Sequence, residues 1–154
     1  MKIAELRKLE DWDVIPAAPG IYKVVSASGF EPQFSAESSA IHFKGKDPSV
    51  DVSVLENNWV KSTDPTQALY IGKAGGLNQR ATLRQRIKAY INFGNGRKAA
   101  HWGGRYIWQL KNVDDLYIKW ETCGAEEESA TLERNELVAF KNHYGKLPFA
   151  NLRT

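Results

Sequence analysis

Apolar residues recur along the chain at two periods, which separates helices from strands. Residues 3–12 (IAELRKLEDW) have the three-to-four spacing of a short amphipathic helix, and Pro16, Pro19 and Gly20 break the chain after it. IYKVVS (21–26) is β-branched and aromatic between Gly and Ser, which predicts a strand. LYIG (69–72) predicts a second short strand ended by AGG. In RATLRQRIKAYIN (80–92), Leu83, Ile87, Tyr90 and Ile91 fall at helical spacing, and the glycines of FGNG (93–96) end the helix. RYIWQL (105–110) and LYIKWETC (116–123) have strand composition and are joined by KNVDD. The clearest helix is SATLERNELVAFKNHY (129–144), with Ser129 as N-cap, acids around its first turns and Gly145 as its stop. LPFAN (147–151) is an extended tail.

Between the first two strands the pattern weakens. Residues 27–66 are rich in Ser, Asn and Pro, with IHF (41–43) and VDVSVL (50–55) alternating as strands do, in a hairpin around KGKDPS. The element order is therefore strand, insert, strand, helix, two strands, helix: an α/β domain with a small mixed sheet. At 154 residues the chain is one domain, 1–154, long enough to bury a core.

Charge adds more than its sum. The net formal charge is only +3, yet residues 65–113 carry nine basic side chains and no acid: Lys73, Arg80, Arg84, Arg86, Lys88, Arg97, Lys98, Arg105 and Lys111. That stretch reads either as an electrostatic footprint for nucleic acid or as a solvated basic surface. Cys123 is the only cysteine, which excludes an intramolecular disulfide and a thiolate zinc cluster, and suits a reducing, cytoplasmic setting. The N-terminus has no apolar core of a signal peptide. No run approaches the roughly 18 apolar residues of a membrane-spanning helix.

Several positions carry candidate chemistry. Ala130, Glu133, Leu137, Phe140 and Tyr144 share one helical stripe. A carboxylate there is costly unless it pairs with an arginine at the rim or holds a cation. Glu136 falls on a neighbouring face, so register favours Glu133 over Glu136 as a ligand. Arg86 and Tyr90 share a face and form either a phosphate clamp or a core tyrosine beside a solvated arginine. Arg84 and Lys88 share a different face. Tyr22 and Tyr70 sit on strands, where tyrosines usually pack in the core. In GRKAAHWGGR (96–105), His101 is a structural histidine or part of a glycine-rich phosphate contact.

Taken in order, GIY (20–22), YIGKA (70–74), LRQRI (83–87) with Tyr90, Glu133 on a late helix and PFAN (148–151) resemble the GIY-YIG nuclease superfamily. That superfamily includes nuclease domains of excision-repair subunits, homing endonucleases and restriction enzymes. The resemblance runs from residue 20 to residue 151. It implies an α+β fold: a three-stranded antiparallel sheet flanked by helices. It also implies a metal-dependent DNA endonuclease, of the kind used in DNA repair among other processes, with Mg2+ or Mn2+ held chiefly by Glu133. Arg86 would neutralise the pentacovalent transition state. Tyr22 or Tyr70 would serve as general base or orient the water, helped by the cation of Lys73, because a phenol with a pKa near about 10 is a weak base at neutral pH. Tyr90 matches the tyrosine or histidine one turn after the arginine. Gly20 and Gly72 are structural, and Asn151 ties the tail to the sheet. Arg80, Arg84, Lys88, Arg97, Lys98, His101 and Arg105 are the expected nucleic-acid contacts.

The sequence departs from the family in one respect. Tyr22 and Tyr70 are 48 positions apart, much farther than the family places them, so residues 27–66 contain an insertion. It is acidic and hence a poor DNA-binding arm. Two other functions stay open. One is a binding module that holds nucleic acid without cutting it, with Trp102, Tyr106 and Trp108 as stacking surfaces. The other is a nuclease subunit active only with a protein partner or a second copy of itself, since no second DNA-binding domain is evident.

Overall fold

The sheet is antiparallel throughout, with strand order β2-β1-β3, rather than mixed. The computed structural model describes residues 1–76, 80–124 and 126–152. β1 (Gly20–Ser26) is the central strand, buried on both faces except at Lys23. β2 (Gln67–Ala74) and β3 (Tyr117–Thr122) flank it. Two glycines make this pairing possible. A Cβ on Gly20 would collide with the Glu121 carbonyl oxygen of β3. Gly72 stands directly across from Tyr22, and a Cβ there would lie 2.6 Å from the Tyr22 ring. The two tripeptides thus face each other, and the glycine of one makes room for the tyrosine of the other.

Helices cover both faces. α1 is the short Ile3–Leu6 and α2 is Val52–Asn58. α3 (Leu83–Gly94) opens with a reciprocal capping box between Thr82 and Gln85. Its Leu83, Ile87 and Tyr90 join Tyr22, Val24 and Tyr70 in the main core. α4 (Glu126–Tyr144) lies over β1 and β2, and Lys23 reaches its Glu136 at 2.7 Å. At the edge of β2 the Asn151 side chain pairs with both backbone groups of Ile71, each at 2.9 Å. The tail therefore caps an edge strand that would otherwise offer free ladder groups.

Five expectations differ. The segment 105–110 is not a strand: Arg105–Gln109 is a 3-10 helix. Residues 106–110 are all buried, which no half-exposed strand allows. The segment 50–55 holds the start of α2, and of that helix only Leu55 is buried while Val54 is 38% exposed. The hairpin at 41–49 reduces to one bridge, Phe43 to Lys46, around left-handed Lys44 and Gly45. Ser129 is no N-cap, because α4 begins at Glu126 and encloses it. The N-terminal helix is also shorter than 3–12, ending at Leu6 before a 3-10 turn at Trp12–Val14.

The insertion is packed down rather than extended. Phe34 and Trp59 meet Phe149, and Phe30 meets Trp59. Gln109 is fully buried and acts as its anchor. Its amide donates to Val50 O at 2.6 Å and Ser35 O at 2.9 Å, and accepts from Val50 N at 3.0 Å. Among the described residues no helix is long and apolar enough to cross a membrane.

Candidate active site

Tyr22 on β1 and Tyr70 on β2 bring their rings edge to face, with centroids 6.1 Å apart. Burial raises the pKa of Tyr22, and the charge and hydrogen bonding of Arg86 oppose that rise. Burial raises Tyr70 further, with Tyr22 adding to the rise and Arg86 again opposing it. Arg86 thus acts on both tyrosines. Lys73 lies next to Gly75 O at 3.4 Å, and its charge acts on Glu133. Arg86 itself is half-buried, one Nη donating to Ala100 O at 3.3 Å.

Of its two readings, Tyr90 takes that of a core tyrosine rather than a phosphate clamp. It is fully buried, and its hydroxyl donates to Gly104 O at 2.8 Å. Burial keeps it neutral far above the usual phenol range. Its work is to hold the Gly103–Gly104 turn against Tyr70, where a Cβ on Gly103 would lie 2.6 Å from the Tyr70 hydroxyl. His101 is likewise no phosphate contact. It is only 2% exposed, and its Nε2 lies 3.0 Å from the Tyr22 hydroxyl. Burial lowers its pKa to about 3, so the ring is neutral at pH 7. Nδ1 is buried without a well-formed hydrogen bond, and the Gly103 backbone favours a proton on the ring. With that proton on Nδ1, Nε2 accepts the hydrogen of Tyr22.

Glu133 and Glu136 separate clearly. Glu136 is committed to Lys23. Glu133 makes no ion pair or hydrogen bond among the described residues, yet its charge acts on both Tyr22 and Tyr70. Burial raises its pKa, with Lys73 partly offsetting. It shares a cleft of about 510 Å3 with Tyr70, Lys73, Trp102, Arg105 and Asn151. Among the described residues no cluster of three or more His, Cys, Asp or Glu is placed to hold a metal. One unpaired carboxylate in an open cleft still suits magnesium, which keeps most of its waters and takes one or two carboxylates plus substrate phosphate.

A raised carboxylate has a stability consequence. Folded Glu133 binds its proton more tightly than the unfolded chain does. Stability therefore falls as pH rises from the ordinary carboxylate range through the pKa of Glu133, and the penalty is complete above it. Glu133→Gln removes that penalty. Without divalent metal at pH 7 it melts about 1–3 °C above wild type, a small gain because the group is partly solvated. Calorimetry at pH 7 and pH 4 checks this, with the gain fading at the lower pH.

The basic residues disperse. Arg84 is held by Ile15 O at 2.8 Å and by Asp13, and Lys88 lies over Trp12, so neither faces the cleft. Arg97 and Lys98 are exposed beyond α3. Arg80 is exposed and borders residues 77–79, outside the described residues. Arg105 alone of the expected nucleic-acid contacts lines the cleft. Of the three aromatics expected to stack on bases, Tyr106 and Trp108 are core residues, and only Trp102 is partly exposed. Comparison of the chain with protein-family models, with curated proteins and with solved structures returns no match.

Proposed function

We propose that the protein is a metal-dependent DNA endonuclease that hydrolyses phosphodiester bonds. The observation that carries this reading is the meeting of two strand tyrosines, a helix arginine and an unpaired glutamate, all from segments far apart in sequence. The GIY-YIG resemblance of these residues supports the same reading.

Hydrolysis needs a water aimed at phosphorus, charge to balance the crowded transition state, and relief for the leaving oxygen. Arg86 has the planar donor fork for the equatorial phosphate oxygens. Tyr70 lines the cleft and is the tyrosine that can meet the attacking water, while Tyr22, fully buried and hydrogen-bonded to His101, is the one whose pKa Arg86 and hydrogen bonds restrain most directly. Glu133 would hold a divalent cation, which would supply Lewis-acid polarisation of the phosphate and relief for the leaving oxygen. Lys73 balances the glutamate charge when no cation is present.

The test is a panel of labelled supercoiled plasmid, single-stranded, flap and four-way-junction DNA, each with magnesium, manganese or EDTA. Cutting of at least one substrate with metal, and none in EDTA, is expected. Salt-sensitive binding without cutting under any condition would favour a binding module instead.

A further inference from the structure

Arg105 is a cation with no counter-ion. Its guanidinium lies 4.6 Å from the centre of the Trp102 ring and 5.5 Å from that of Tyr106, and no carboxylate lies within ion-pair distance among the described residues. Partial burial lowers its pKa, so it has surrendered water without gaining an anion. Such an arrangement is costly unless a ligand repays it.

Its setting points to the ligand. Arg105 lines the same cleft as Tyr70, Lys73 and Glu133. Arg86, the cation that acts on Tyr22 and Tyr70, is not among the residues lining this cleft, so the two arginines occupy different places. The Gly103–Gly104 turn, with Gly104 at φ 73°, fixes where the Arg105 side chain begins relative to Tyr70. Trp102 is buttressed in turn by Phe43 from the insertion, ring on ring at 6.0 Å, and by the edge of Phe93. The insertion thus helps to support the Trp102–Arg105 pair.

We propose that Arg105, braced on Trp102, binds a second phosphate of the DNA strand, adjacent to the one that is cut. This rests on the endonuclease reading and adds a place where the strand is gripped. A stacked guanidinium is pre-organised for a phosphate and loses little freedom on binding.

The test measures binding of a single-stranded oligonucleotide in EDTA across a salt series, so cleavage plays no part. Arg105→Gln is expected to weaken binding about tenfold and to lower the slope of log K against log salt by about 1. Arg105→Lys restores the slope because it keeps the charge, whereas a purely structural loss would affect both variants alike. Melting temperatures show that both remain folded. An unchanged slope in folded Arg105→Gln overturns the second phosphate site and leaves the endonuclease reading standing. A lowered slope supports the site, even if the substrate panel shows no cutting and the endonuclease reading fails.

Discussion

Arg86→Ala lowers the cleavage rate about 10³-fold while leaving the melting temperature close to wild type. The first half follows from what Arg86 touches. Its charge acts on both tyrosines, and its fork is the group best suited to the charge that builds on phosphorus. That charge develops in the transition state and not in the bound substrate, so the loss appears in kcat more than in KM. The second half follows from its modest packing: half-buried, with hydrogen bonds to the Ala100 carbonyl and the Tyr22 hydroxyl. Arg86→Lys recovers only part of the rate, because a point charge replaces a bidentate fork. Single-turnover cleavage with thermal melts of both variants checks the prediction. A rate within threefold of wild type would remove Arg86 from the chemistry.

Gln109→Leu destabilises the fold by about 4 kcal/mol, a fall of about 10 °C in Tm. Leucine fills similar space, so cavity formation is not the cause. The loss comes from part-buried backbone groups that the amide now satisfies, the carbonyls of Ser35 and Val50 and the N–H of Val50, and from the fully buried site of the amide itself. Each of these groups loses its partner. Urea unfolding measures the effect, and a loss below about 1 kcal/mol would mean that the insertion is held mainly by its aromatic contacts to Phe149.

Much of the framework was legible in the sequence because its signals are local. IYKVVS and LYIG are apolar on both faces, as central-sheet strands are, and the spacing of α3 and α4 carries their helical period. Glu133 stood out because a carboxylate on an apolar stripe is anomalous, and the structure leaves it unpaired among the described residues. The misread segments share a cause. RYIWQL has strand composition, but tertiary packing buries it continuously and winds it as a 3-10 helix. VDVSVL alternates well enough for a strand, yet only Leu55 finds the core. The sequence leaves His101 as a structural histidine or a phosphate contact, and nothing near it in sequence announces a hydrogen bond to a tyrosine 79 positions away. The roles of Gln109 and of the Trp102–Arg105 pair depend on the same long-range folding. A composition-based reading cannot distinguish a buried glutamine anchor from a surface one.

The most direct test of the central claim sets wild type beside Glu133→Gln on the cleaved substrate, in magnesium and in EDTA, with melting curves for both. Wild type is expected to cut only with magnesium, and Glu133→Gln to be folded, slightly more stable without metal, and inactive. Equal cutting by the two proteins, or cutting that persists in EDTA, would contradict it.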